Sequence, residues 1–350
     1  MPTTRSDSST VCIYWVASPL QYLAARRIAT QFERGARQVL IYYKKGVAPV
    51  VRADQWDAVW YMPWPRFHPL PGWFGVHRRL LENLRRVAEL TGSCASLRLH
   101  AAMYDSEATN YFLRALPRLT GASTQQARIL PDGIISVRRY PLSPLKRTLQ
   151  YTRKLRRLVS PQLDYWCFPG DRLGTDAPFV DRIYVLPGLP HQYPPEKVVV
   201  LPPLVDVATA GSGGGEGGEL RALVIGQPLV GRGLVAPEDL AAITIRIHDW
   251  LRQRGVVSID YKGHPKDANN ELMDPEDHPL VLEEPIETYM THTPYDFVVG
   301  VRSSALLFAR QIYGSNTQVA AFAWDRLRFK SDAERRDMET AFLQCGVQML

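Results

Sequence analysis

The stretch VCIYWVASPLQYLAARRIATQF, residues 11–32, joins a run of large apolar residues directly to a helical pattern. Residues 11–17 read as a strand buried on both faces, the environment of a parallel sheet. Ser18 is a good N-cap, Pro19 suits the first helical position, and Gln21 completes a Ser-x-x-Gln capping box, so a helix is predicted from residue 18 to 32. A strand that passes straight into a helix is the repeating unit of parallel α/β sheets, and the same unit recurs along the chain.

Further strands are predicted at QVLIYYK (38–44), DAVWYMP (57–63), LRLHAAM (97–103) and ARILPDG (127–133), with a helix at HRRLLENLRRVAEL (77–90). The second half repeats the rhythm. LRALVIGQP (220–228), VVSIDYKGHP (256–265) and PLVLEEP (279–285) read as strands entering loops, and residues 237–255 as a helix closed by Gly255. Residues 295–314 read as strand, turn and helix, 317–324 as a last strand, and 331–344 as a terminal helix. Between the halves, ATAGSGGGEGGE (208–219) holds six glycines within the eight positions 211–218, the composition of a flexible linker. The expected organisation is a first domain over 1–205, a linker over 206–219 and a second domain over 220–350. Two Rossmann-like α/β domains facing across a cleft would suit a transferase of GT-B type; periodicity supports the two halves, and the GT-B assignment goes beyond it.

At 350 residues the chain is long enough for two domains. Its 45% hydrophobic and 22% charged content is that of a water-soluble globular protein. No apolar run has spanning length, and the polar N-terminus lacks the features of a secretion signal, so a cytoplasmic location is expected. The four cysteines are scattered and never form Cys-x-x-Cys, which excludes a zinc ribbon and gives no disulfide framework. A net charge of +7 points to an anionic partner. No Gly-x-Gly-x-x-Gly follows the first strand, and no Gly-x-x-x-x-Gly-Lys-Ser/Thr or His-Glu-x-x-His occurs, which argues against a dinucleotide dehydrogenase, a P-loop NTPase and a zinc protease. No convincing Asp-x-Asp is present either, so chemistry with no metal or other cofactor is expected.

Polar residues at predicted strand ends remain, and open α/β sheets bind ligands there. They are Asp132-Gly133, Gly226-Gln227, His264-Pro265, Glu284 and Ser303-Ser304. Each has a structural alternative. Asp-Gly is a common turn, Ser303 can cap the following helix, Gln227 can end a strand, and His264 can be a loop histidine. His-Pro occurs three times, but His68 lies in a proline-rich loop and His278 precedes its predicted strand, so His264 alone has the position of a site residue.

In this order, LPDGIIS (130–136), YKGHPKD (261–267) and GVRSSALLFA (300–309) resemble the three short motifs of the bacterial sialyltransferases, particularly the polysialyltransferase-like family and its relatives acting on lipooligosaccharide. YWVASPLQYLAA (14–25) and VIGQPLVGRGLVAPEDL (224–240) are similar to the family's entries to its two domains. The likeness covers most of the chain outside 140–215. One departure is Pro131, where the family commonly carries a second acidic residue.

The resemblance implies a metal-independent, inverting transfer of sialic acid or a related nonulosonic acid from a CMP-activated donor to a glycan hydroxyl, in polysaccharide, capsule or lipopolysaccharide assembly. Asp132 would be the general base. His264, with Ser303 and Ser304 at a helix N-terminus, would stabilise charge on the departing phosphate. Gly226, Gln227 and Pro265 would complete the donor site. Arg302 either adds charge there or faces solvent. Glu284 would hold the ribose, in competition with Glu283 and Glu287. Ser18, Gln21 and Gly133 would line the acceptor side, although the helix cap already explains the first two. The alternatives are a GT-B transferase using CMP-Kdo or a UDP-hexose, and a non-catalytic module that binds anionic glycans.

The segment 143–161 carries Lys146, Arg147, Arg153, Lys154, Arg156 and Arg157 and no acidic residue. It reads as a solvated helix face, a track for an anionic or lipid-linked glycan, or a peripheral contact with the anionic inner face of a membrane, where each basic residue adds about 1 kcal/mol. Its patterning does not suit nucleic acid.

Overall fold

The computed structural model describes residues 9–132, 139–202, 204, 219–264 and 266–350. Gly133, Pro265 and nearly all of the glycine-rich stretch 206–219 lie outside the described residues. The chain forms two compact units, Met1–Leu186 with His191–Pro202, and Pro187–Pro190 with Pro203–Leu350. The short segment 187–190, expected in the first domain, groups with the second. Gln311 Nε2 donates to the Pro187 carbonyl at 3.4 Å and Cys345 Sγ to that of Gly188 at 3.5 Å.

The first unit is a parallel sheet of β1 (Thr10–Val16), β2 (Arg37–Tyr42), β3 (Ala58–Tyr61), β4 (Ser96–Ala101), β5 (Thr124–Ile129), β6 (Val180–Val185) and β7 (Val198–Val200). Its strand order is β3-β2-β1-β4-β5-β6-β7. All six neighbouring pairs run parallel, so each crossover must pass over a face of the sheet. The chain builds outward from β1 to β3 and then returns to the other side of β1, which makes the β1/β4 boundary the topological switch point. The helices are α1 (Pro19–Gln31), α2 (Gly75–Thr91), the short α3 (Glu107–Asn110), α4 (Phe112–Thr120) and α5 (Pro144–Lys154).

One face of this sheet is apolar. Ile13, Trp15, Ile41, Leu99 and Ile129 pack with Leu84 and Val87 of α2 and Phe112 and Leu116 of α4. The opposite face buries charge. Glu33, past the end of α1, is fully enclosed and pairs with Arg98 at 2.5 Å and with Arg128. Arg128 also pairs with Asp181 at 2.9 Å, so the buried charges are matched.

The second unit repeats the plan with β8 (Leu220–Ile225), β9 (Val256–Lys262), β10 (His278–Pro279), β11 (Phe297–Gly300), β12 (Gln318–Ala321) and β13 (Gln348–Met349). The order β10-β9-β8-β11-β12-β13 puts its switch point between β8 and β11. The helices are α6 (Pro237–Arg252), α7 (Ile286–Tyr289), α8 (Ser304–Tyr313) and α9 (Asp332–Gln344).

The strand expected over 279–285 is only the pair His278–Pro279, and His278 lies within it rather than ahead of it. Beyond Pro279 there is no burial to hold an extended edge, and Val281 is 94% exposed. Among the described residues, no helix is long and apolar enough to cross a membrane.

Candidate functional site

At the switch point of the first sheet, the carboxyl ends of the strands enclose a cavity of about 610 Å³. Ala17 and Ser18 follow β1, Tyr43 and Lys44 follow β2, Ala102 and Met103 follow β4, and Asp132 follows β5; all line it. Trp64, stacked on Tyr43 at 4.3 Å, supplies an aromatic wall. Arg153 and Arg172 supply positive charge, and both are held by Asp105. Arg172 pairs with its carboxylate at 2.6 Å, and Arg153 donates to its carbonyl at 2.8 Å.

Asp132 is half-buried here. Burial pushes its carboxyl above the ordinary aspartate range, while a hydrogen bond from Gln21 and the charge of Lys44 pull it partly back. The helix cap at Ser18 forms as expected, its hydroxyl accepting from Gln21 N at 3.3 Å. The reciprocal half of the capping box does not form. Gln21 reaches past Ser18 to accept the N–H of Ala17 at 2.7 Å through Oε1. That bond fixes the amide orientation and leaves Nε2 as the group that donates to Asp132. Gln21, almost wholly enclosed, therefore orients the carboxylate, a role hidden in the sequence behind an ordinary helix cap.

The second unit gathers its polar strand ends at its own switch point. Gly226 and Gln227 follow β8, His264 follows β9, and Arg302, Ser303 and Ser304 follow β11. Gln227 Oε1 accepts the backbone N–H of Arg302 at 2.7 Å, tying the β8 end to the β11 end and leaving its Nε2 as the donor. At Gly226 a Cβ would lie 2.7 Å from Cζ of the buried Tyr261 ring and 3.1 Å from the Lys262 carbonyl oxygen. Gly226→Ala is therefore expected to cost about 1–3 kcal/mol by overpacking, read as a lower denaturant midpoint, and to loosen the loop that carries Gln227.

His264 Nδ1 accepts the Lys266 backbone N–H at 3.0 Å. The neutral ring then carries its proton on Nε2 and presents a hydrogen-bond donor. Burial, together with the positive charges of Arg232 and Lys266, holds its pKa below the usual histidine value, so the neutral form prevails at pH 7. The loop is braced from beneath. Asp267 accepts from Asn269 N and Glu271 N, and Glu271 reaches across to accept Val230 N at 2.6 Å and Gly231 N at 3.0 Å.

Ser303 caps α8, its hydroxyl accepting from Ala305 N at 3.3 Å, and Ser304 is the first helical residue. Arg302 takes neither of its expected courses. Its guanidinium pairs with Glu334 at 3.0 Å and lies over the Phe329 ring. Glu284 sits in a loop well past the end of β10 and accepts from His292 Nε2 at 2.7 Å, not at a strand end as expected. Among the described residues, no group of three or more His, Cys, Asp or Glu side chains is arranged to hold a metal ion.

Lys44, Trp64, Arg172 and the brace residue Glu271 were not among the site residues expected from the sequence. Lys44 was open to discovery by the same strand-end rule that selected Asp132, since it directly follows QVLIYY. Trp64, Arg172 and Glu271 lie in loops with no local signature.

No protein-family model matches the chain, and no curated protein matches it by sequence. Solved structures do. An α/β-galactoside α-2,3-sialyltransferase from the luminous marine bacterium Photobacterium phosphoreum aligns with a TM-score of 0.57 at 9% identity, over 97% of this chain and 98% of that one. UGT89C1 of Arabidopsis thaliana, solved with UDP-L-rhamnose, aligns with a TM-score of 0.50 at 8% identity, over 97% and 84%. CalG4, the calicheamicin glycosyltransferase, aligns with a TM-score of 0.50 at 11% identity, over 97% and 85%. With its two parallel sheets, each flanked by helices, the chain has the two-domain, Rossmann-like fold of the GT-B class.

Proposed function

We propose that the chain is an inverting glycosyltransferase that moves sialic acid or a related nonulosonic acid from a CMP-activated donor to a glycan hydroxyl, with no resident metal. Asp132 carries the reading: a half-buried carboxylate past the end of a parallel strand, oriented by Gln21, in a cavity walled by aromatic rings and cations. Such a group accepts a proton from a sugar hydroxyl, and burial moves its pKa toward the operating pH. The Tyr43–Trp64 wall offers apolar faces to a sugar ring, and the cations suit an acceptor that carries negative charge.

In this mechanism the acceptor hydroxyl gives its proton to Asp132 as its oxygen bonds to the anomeric carbon. The bond from that carbon to the phosphate oxygen breaks on the opposite face, and its electron pair leaves with CMP. The second unit holds the donor. His264 Nε2–H, the hydroxyls of Ser303 and Ser304 and the positive N-terminal end of the α8 dipole stabilise the phosphate. Gly226 and Gln227 shape the adjoining wall, Pro265 follows the phosphate ligand, and Glu284 accepts a ribose hydroxyl by giving up His292.

The test is calorimetric titration of the whole protein with CMP and UDP, followed by transfer assays with CMP- and UDP-sugars in EDTA. Selective CMP binding and EDTA-resistant transfer of a nonulosonic acid are expected. Transfer only from CMP-Kdo or a UDP-hexose would replace the donor assignment, and binding of anionic glycans with no nucleotide binding would replace the enzyme reading.

A further inference from the structure

Helix α5 is built inside out. Its one buried residue is Gln150, whose amide donates to the Phe168 carbonyl at 3.1 Å and accepts the Phe168 N–H at 2.7 Å. Polar groups hold the rest of the helix: the Tyr111 hydroxyl donates to the Arg153 carbonyl at 3.1 Å, and Arg153 bonds the Asp105 carbonyl and the Tyr165 hydroxyl. The large apolar residues face water instead. Leu145, Leu149 and Tyr151 are exposed, as are Leu155, Leu158 and Val159 in the single tight turn that continues the helix, the last two at 76% and 79%. A surface helix ordinarily turns its apolar stripe toward the core. Here the stripe is bordered by exposed Lys146, Arg147 and Arg157, with no acidic residue from 143 to 161.

A second exposed apolar group stands close by. Phe67, Trp73 and Phe74 project from the loop before α2, Trp73 at 89% and Phe74 at 78%. Phe74 is held with φ 61°, a left-handed conformation uncommon for a bulky residue. The loop is clamped from α2, where Arg79 Nε donates to the His68 carbonyl at 2.8 Å and Arg78 to that of Pro71. His77, in the first turn of α2, hydrogen-bonds Ser160 at 2.9 Å and so joins the aromatic loop to the end of the basic segment.

We propose that α5 with its continuing turn, and the aromatic loop beside it, form one face that seats on an anionic phospholipid bilayer. Tryptophan and phenylalanine rings sit at headgroup depth, leucines enter the acyl boundary, and lysine and arginine are drawn to anionic lipid. The other occupants fit less well. A polyanionic glycan or nucleic acid would pair with the cations but has no use for a stripe of exposed leucines. A second copy of the chain would bring like charges together. Arg66, Phe67 and Arg153 also line the cavity that holds Asp132. A bilayer on this face would thus present a lipid-linked acceptor to that cavity, a consequence that rests on the proposed function.

The whole protein is mixed with vesicles of phosphatidylcholine alone or with added phosphatidylglycerol, and flotation and total tryptophan emission are recorded, the share of Trp73 being taken as the difference from a Trp73→Phe variant. Binding to the phosphatidylglycerol vesicles only, a blue shift on binding and loss of binding in high salt are expected. Leu149→Glu/Leu158→Glu and Trp73→Ser/Phe74→Ser should each weaken binding at least about tenfold, with thermal midpoint and CMP affinity unchanged. The proposal is overturned if the wild type fails to float with anionic vesicles, or if both double variants bind like the wild type. It is equally overturned if the leucine changes dissociate a dimer, or if heparin or RNA is bound and vesicles are not. Vesicle binding is read without donor or acceptor, so its failure is separate from failure of the catalytic reading.

Discussion

Asp132→Asn is expected to lower kcat by about 10²- to 10⁴-fold, the range over which a positioned general base contributes. The change is nearly isosteric, and its amide oxygen can still accept the Gln21 N–H, so the cavity should keep its shape. Only proton acceptance is lost, and CMP affinity, which the proposed mechanism assigns to the second unit, should be unchanged. Stability supplies an independent check. Burial raises the carboxyl pKa in the folded state, so the fold favours the protonated form. The stabilising contribution is therefore complete below the unfolded-state pKa and lost as pH rises through the folded value. At neutral pH an ionised Asp132 costs stability, and asparagine removes that cost. The variant should melt at or above the wild-type temperature while being nearly inactive, the opposite of a residue kept only for its turn. In the wild type, kcat/KM should climb with pH through the raised carboxyl pKa and then level off.

His264→Ala is expected to cost about 10²- to 10³-fold in kcat, the penalty for deleting one donor to a charge that develops in the transition state, together with weaker CMP binding. The ring acts as a neutral donor, because Nδ1 is committed to the Lys266 N–H and burial with nearby cations depresses its pKa. Activity should therefore show no alkaline fall from loss of an imidazolium. A profile that collapses as pH rises through the ordinary histidine range would contradict this assignment. His68→Ala and His278→Ala, the other two His-Pro histidines, should behave as wild type. His68 lies in the aromatic loop, and His278 is exposed on the short edge strand β10.

The legible parts of the fold were those in which one local pattern suffices. VCIYWVA could only be a strand buried on both faces, and Ser18-Pro19 marks the start of a helix in any context. The terminal strands and the helices α3 and α4 were not legible. Pro117 interrupts the second of these helices in sequence without ending it. β7 and β13 are too short to show alternation, and they exist because β6 and β12 offer them an edge. The site divides in the same way. Asp132, His264, Ser303 and Ser304 could be selected because strand ends are where open α/β sheets carry chemistry. Gln21 could not be separated from an ordinary cap, because its second use depends on β5 ending beside β1 across β4. Glu284 was misplaced because LVLE looks like a strand until the exposure of Val281 removes the burial a strand would need.

The central claim is that Asp132 takes the acceptor proton while CMP departs without a metal. CMP release from CMP-sialic acid, followed in EDTA with a glycan acceptor for wild type and Asp132→Asn, tests it most directly. The expected result is steady, acceptor-dependent release by the wild type and its near-complete loss in a variant that still binds CMP. Full release by Asp132→Asn, or no release by the wild type from any CMP-sugar, would contradict it.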